Sequence, residues 1–393
     1  MASCLLLGGI AIFAAGPFEC HRLEGPSVRG HLAAWTAGEV VLDTPAGEVT
    51  VNTADVLRLE PAEPPETGAA PLRVHLLDGS VIAATAFETE EGRAKVTTAS
   101  GPLEFPTRDL AAVRLQPLAD AVRDAWDRLH GQPPAADLLA VVRDEALDYH
   151  QGVVGRVSDE VVEFSLDGER LPVPRSRVFG LVYHRPAGRA LPEAVCLLAD
   201  ADGSRWAVRS VILDGDRLRW ETPAGISVTR PVGNVLLADY AAGRVVDLGD
   251  LTPQSVEWTP FIGSGPPLPT RAAFFAPRSH RGGERTLVLG GEIYDRGLAV
   301  HSRTEIVYRL PGDFRRFQAL AGIDDRASPL GGVRLSIRGD DAVLFDAPIR
   351  AGDPPQEIDV SLEGVRRLVL LVDYGEESDV GDHLNLCEAR LVK

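Results

Sequence analysis

The sequence predicts a mainly β chain: tandem small barrels of the SH3-like or Sm-like kind, followed by a β-sandwich. Three observations carry that prediction. A hairpin pattern with glycine at its turn recurs four times between residues 26 and 239. Beyond residue 296, apolar residues alternate along short runs separated by acidic, glycine-bearing turns. Glycine and proline number 39 and 29, and one segment alone has the spacing of an amphipathic helix, which favours many short strands joined by turns.

The repeats come first. Residues 40–61, 94–117, 162–184 and 218–239 each read as a hairpin, a polar strand, a short loop and an apolar strand, with a period of roughly 55–65 residues. Their turn glycines are Gly47, Gly101, Gly168 and Gly225, as expected where a tight turn needs positive φ. The front halves match less well. Residues 74–87 and 195–211 share a strand, an acidic-glycine-serine turn and a return strand, residues 137–157 lack the glycine, and the first copy is short. The copies are therefore placed at 26–61, 72–117, 137–186 and 193–240, as small curled barrels or simple meanders, and four of them would stack. Between the second and third, residues 118–131 read as a helix, with Leu118, Val122, Ala125, Trp126 and Leu129 on one stripe, Pro117 before it and Gly131 after it. It is expected to dock between those two copies. Proline-rich residues 60–71 and 263–269 read as linkers, and 240–259 as a transition strand pair.

Bulk properties narrow the function. The formal net charge of −17 repels phosphate backbones, which argues against nucleic acid as a partner. Cys4, Cys20, Cys196 and Cys387 form neither a CxxC nor a Cys/His zinc spacing, and Cys196 and Cys387 read as small buried hydrophobes. Residues 5–15 are an apolar run of signal-peptide length, too short to span a bilayer, with small residues Ala14, Ala15 and Gly16 after it but no Lys or Arg before it. Residues 1–20 are accordingly read as a signal peptide and the chain as secreted, periplasmic or on the cell surface. The competing reading is a buried first strand. No segment is long enough to be a transmembrane helix.

In the last third, Ile306, Tyr308 and Leu310 alternate on one strand, Val333, Leu335 and Ile337 on another, and residues 365–373 form a nearly continuous apolar run suited to a central strand. Two stacked antiparallel sheets satisfy that pattern. The wording GLAVHSRTEIVYRL at 297–310, the GIDD turn at 322–325 and DHLNLCEARL at 382–391 resemble the NPCBM/NEW2 family of carbohydrate-binding modules, related to the family-51 modules. The resemblance spans residues 260–393. It implies a galactose-binding-like jelly-roll sandwich, with carbohydrate, of galactose type in the wider family, as the partner. It places His301 at the module's recurring histidine, Asp324 and Asp325 at its GxDD turn, and Asp382 and His383 at the opening of its last strand. The family carries a tryptophan where this chain has Leu386, so either a core plug or a stacking surface is missing.

Each of these residues also has a plain structural reading. His301 would bond a loop carbonyl, Asp324 and Asp325 would cap a turn, and Arg334 and Arg338 would be exposed strand arginines. Arg334 is retained as a sugar-binding candidate because its planar fork suits hydroxyls. The acidic run 375–382 reads as a solvated loop or, through Asp379 and Asp382, as a structural calcium site.

No HExxH, GxSxG, Walker loop or GxGxxG occurs, and the nine histidines are dispersed. The expected function is non-catalytic carbohydrate binding by the C-terminal sandwich, with the repeats as spacer or protein-interaction array. The alternatives are a scaffold whose sandwich has lost sugar binding and, last, a glycoside hydrolase with its site among the repeats.

Overall fold

The computed structural model describes residues 16–23, 25–185, 189–261, 278–281, 286–327, 329–375 and 379–393. The chain divides into two compact units, 1–242 and 243–393. Most of the residues read as a signal peptide, and the linker at 263–269, lie outside the described set.

The N-terminal unit holds four copies of one plan. The first copy runs Phe18–Arg22, Val28–Trp35, Glu39–Thr44, Gly47–Asn52 and Val56–Pro61. Its strands are ordered 5-1-2-3-4, because the first strand pairs with both the fifth and the second. A one-turn 3₁₀ helix, Thr53–Asp55, joins strands four and five. The same turn recurs at Thr107–Asp109, Arg175–Arg177 and Val232–Asn234. This differs from the expectation in three ways. The first copy is not short: it begins at Phe18, and the buried Phe18 and Cys20 are part of its core. None of the copies closes into a barrel, since among the described residues each fourth strand has the third as its one sheet neighbour. Nor do consecutive copies simply stack. The fifth strand of copy one pairs with that of copy four, through Ala238 opposite Leu59, and copy two pairs with copy three, through Val113 opposite Leu181. Edge strands bury their open hydrogen-bonding groups best against each other, and this pairing leaves one continuous core. In the third copy the missing turn glycine is replaced by Asp144 and Glu145, at φ +47° and +65°.

The helix is Asp120–His130, closed by the Gly131 amide donating to the Asp127 carbonyl. Asp120 stands in its first turn and Arg128 and His130 in its last, each suited to the charge at that end. Val122 and Trp126 pack on Ala112 of copy two and on Leu138, Ala140, Phe179 and Val182 of copy three. The helix therefore seals the seam between those copies, as its sequence predicts. Trp126 meets Phe179 edge-on at 5.4 Å, and a Cβ on Gly180 would lie 2.5 Å from the Trp126 ring, so this seam needs a glycine.

At the end of that helix His130 stacks on His75, 4.7 Å away. Burial pushes the His75 imidazole down to about 4, helped by the charges of His130, Arg114, Arg73 and Arg205. An unfolded histidine titrates near 6.5, so below that pH the unfolded chain takes a proton that folded His75 refuses. Stability from this group is complete above pH 6.5 and is lost as pH falls through about 4. Urea midpoints are expected to fall between pH 7 and pH 4, and to fall less in His75→Gln. Equal slopes in the two proteins would contradict this account.

The C-terminal unit is a sandwich of two antiparallel sheets. One is ordered Arg278–Arg281, Arg296–His301, His383–Val392, Arg316–Ile323, Gln356–Ser361, with Val245–Asp247 also pairing on the His383–Val392 strand. The other is ordered Ser255–Trp258, Thr304–Arg309, Arg367–Tyr374, Gly332–Gly339, Ala342–Arg350. Leu298, Ile306, Phe317, Leu335, Leu370 and Leu386 meet between them. Of residues 240–259, Tyr240 packs in the N-terminal core, while Val245–Asp247 and Ser255–Trp258 are strands of this sandwich, so the unit starts before residue 260. The run at Arg367–Tyr374 is central in its sheet, with Leu370 in the core and Val369 buried on the outer side. Gly297 sits at φ +139°, and a Cβ there would meet the Leu386 carbonyl at 2.2 Å, so the strand entering His301 can pass its neighbour only as glycine.

Candidate functional site at one rim of the sandwich

The register of the first sheet sets His301 directly opposite His383. Their rings meet edge-on at 4.9 Å. Asp382 precedes His383, and its carboxylate accepts from the Ser302 hydroxyl at 2.5 Å and from the Gly332 amide at 2.9 Å. Asp382 is 1% exposed, and burial raises its carboxyl above the ordinary range while the Ser302 and Gly332 bonds oppose that shift. His301 is 6% exposed, and its Nδ1–H donates to the Ser302 carbonyl at 2.6 Å. The plain reading of His301 is therefore the one the structure displays: the ring braces a loop carbonyl from inside.

Asp324 lies beside this group, its amide donating to the His383 carbonyl at 2.9 Å. Its carboxylate accepts from Asn385 Nδ2 at 2.9 Å and from both ends of the Arg326 guanidinium. Burial works to raise its carboxyl, yet these bonds hold it down at about 2. Asp325 turns away, accepting from the amides of Gly290 and Gly291. The GxDD turn thus organises backbone, and only Asp324 touches the histidine pair's strand. Arg334 lies exposed on the other sheet, opposite Asp373 on the neighbouring strand, and its guanidinium pairs with Asp346 at 2.8 Å.

The calcium candidates are Asp379, which borders residues outside the described set, and Asp382. Both carboxylate oxygens of Asp382 are taken by protein donors, and among the described residues no group of three His, Cys, Asp or Glu side chains could hold a metal ion. Residues 376–378 of the acidic run lie outside the described set.

Beside the histidines stands an aromatic shelf of Trp258, Phe261 and Tyr374, of which the sequence alone pointed to Tyr374. Trp258 Nε1–H donates to the same Ser302 carbonyl as His301, at 3.0 Å. The Tyr374 hydroxyl donates to the Thr259 carbonyl at 2.6 Å, and its ring meets Phe261 edge-on at 5.0 Å. Phe261 is 43% exposed, so that its ring offers a face beside Tyr374. Arg303 and Asp373 form an ion pair at 3.3 Å on the same rim. The signal was available as WTPF at 258–261, but the expected boundary at residue 260 divides that segment. Tyr294, by contrast, packs on Leu287, Leu289 and Cys387.

A β-sandwich with a polar pair braced beneath an exposed aromatic shelf defines a small binding module. Residues 245–392 match the NPCBM/NEW2 domain model, while the N-terminal repeats have no family-model assignment. A protein of Renibacterium salmoninarum named "Putative endo-alpha-N-acetylgalactosaminidase" is 34% identical over 87 residues, a match covering 22% of this chain and 6% of that protein. Among solved structures, the CBM51 module of Clostridium perfringens GH95 in complex with methyl-galactose is 23% identical, covering 38% of this chain and 99% of that one, with a TM-score of 0.31. The tandem CBM51 modules of a Streptococcus pneumoniae family 98 glycoside hydrolase are 11% identical, covering 82% of this chain and 88% of that one, with a TM-score of 0.32.

Leu386, where the resemblance implies a tryptophan, packs in the core. It is fully buried between the sheets, opposite Leu298 and Ala321. An indole there would plug the core, and its loss takes no stacking surface from the rim.

Proposed function

We propose that the C-terminal unit binds carbohydrate at this rim, and that the chain is exported and non-catalytic, with its four repeats as spacer or interaction array. The observation that carries the reading is the exposed Phe261, held against Tyr374 beside Trp258, next to the His301–His383 pair in the segment that matches the NPCBM/NEW2 domain model. Sugar rings present an apolar C–H face and a hydroxyl edge. Aromatic side chains with an apolar body suit the first, and a half-exposed imidazole and an arginine fork suit the second. In this reading Phe261, Trp258, His383 and Arg303 touch the ligand, while His301 and Asp382 hold the rim in shape from below. The galactose type is the narrower expectation.

The burial of His301 favours a second reading, a protein-interaction scaffold in which the rim no longer takes sugar. A glycan array probed with the full chain separates the two. Binding to at least one neutral glycan is expected, with Phe261→Ala weakening it by tenfold or more, the size of a loss typical for a central aromatic contact. An array blank at every neutral glycan, or binding indifferent to Phe261→Ala, would favour the scaffold.

A further inference from the structure

The fourth strand of each repeat is a sheet edge, and its backbone amides alternate between facing the third strand and facing outward. The register is fixed identically in all four copies. The Thr53 amide donates to the Gly38 carbonyl, Thr107 to Gly92, Arg175 to Glu160 and Val232 to Asp216. Each bond brackets a cross-strand pair that exchanges no hydrogen bonds: Asn52 with Glu39, Pro106 with Arg93, Pro174 with Val161, Pro231 with Arg217. Counting back by two gives the outward positions of each edge.

In the second copy they are 102, 104 and 106, and Pro102 and Pro106 occupy two of them. In the third, Pro172 and Pro174 occupy two of 170, 172 and 174, and in the fourth Pro231 takes the last. Proline has no N–H to offer, so the second and third edges lose two of three outward donors and the fourth loses one, its Ser227 and Thr229 keeping theirs. The first copy differs. Its outward positions are Glu48, Thr50 and Asn52, and all three keep their donors. Among the described residues this strand meets only its own third strand.

We propose that this open edge, Gly47–Asn52, pairs antiparallel with the same edge of a second copy of the chain. Side-chain chemistry selects the partner and the register. A twofold axis through Thr50 sets Thr50 against the second copy's Thr50, and Glu48 against its Asn52, so two amides, two hydroxyls and no like charges face each other. Moving the axis from Thr50 to Glu48, a slip of four residues, would oppose Glu48 to Glu48. The chain already uses the same device inside itself, where fifth strands pair edge to edge between copies. One short ladder holds the dimer against the repulsion of two chains of formal charge −17, so association is weak and strengthens with salt.

Sedimentation velocity of the full chain over a hundredfold concentration range reads this directly. The sedimentation coefficient is expected to rise from monomer toward dimer, at lower concentration in high salt. Asn52→Pro is the matching block: Asn52 has φ −66°, a proline value, and the equivalent residues of the other three copies are prolines at φ −62°, −53° and −57°. That variant is expected to keep its circular dichroism spectrum and remain monomeric throughout. Should it fail to fold, two milder changes decide. Asn52→Asp can still cap the 3₁₀ turn through its carboxylate but opposes the second copy's Glu48, and should weaken association tenfold or more. Asn52→Lys should strengthen it. A full chain that stays monomeric at every concentration and salt, or a dimer that ignores all three changes, overturns the proposal.

Discussion

Trp126→Ala is expected to lower the unfolding free energy of the N-terminal unit by about 3–5 kcal/mol, the range for deleting a fully buried large aromatic. The side chain is 1% exposed and fills the seam where the fifth strands of copies two and three pair. No neighbour can close the gap: Gly180 has no side chain to offer, and Phe179 meets the indole edge-on from a strand fixed by its own ladder. The His130 ring would also lose the indole it lies 5.0 Å from, and with it the lid on His75. Urea unfolding followed by circular dichroism measures the loss, and a change under 1 kcal/mol would show that the helix is not the clamp described.

Asp382→Ala is the second large effect, and it falls on the C-terminal unit. The change strands two buried donors, the Ser302 hydroxyl and the Gly332 amide, at a combined cost of about 3 kcal/mol. It also frees the Ser302 segment, whose carbonyl anchors both His301 and Trp258, so the shelf and the histidine pair lose their common support. Asp382→Asn keeps an acceptor for one donor and should cost less. Thermal unfolding of the two variants orders them, and equal stability of Asp382→Ala and the parent chain would remove Asp382 from its bracing role.

How much of this was legible before the structure depends on the kind of signal. The repeat glycines and the 3.6-residue stripe of the helix are local, and Gly47, Gly101, Gly168, Gly225 and Trp126 fall where those patterns put them. The alternation of Ile306, Tyr308 and Leu310 likewise points one face of a strand into a core, and all three are buried. The order in which copies pair is not local. Nothing in the fifth strands tells copy one to choose copy four over copy two, because the choice lies in which edges are blunted and which seams a helix can cover. The first strand was hidden for a related reason: FECHR carries two buried residues, Phe18 and Cys20, too few to distinguish it from the tail of an apolar leader.

The site divides along the same line. Family wording located His301, Asp382 and His383, which the structure does bring together, and it located Asp324 beside them. It could not say that His301 and Asp382 face inward, since a strand's inner and outer positions depend on the neighbouring loop as well as on alternation. Arg334 sits on the sheet that carries Trp258 and that Arg303 leads into, and its pairing with Asp346 is a contact no local pattern announces. Trp258 and Phe261 were missed because they precede the recognisable wording, and only the pairing of Ser255–Trp258 with Thr304–Arg309 carries them to the rim.

A crystal of the full chain soaked in neutral monosaccharides tests the central claim most directly. The account predicts a sugar ring lying flat on Phe261 and Trp258, with its hydroxyls reaching His383 and Arg303. A rim left empty by every sugar in the panel, or a sugar bound on the far side of the sandwich, would contradict it.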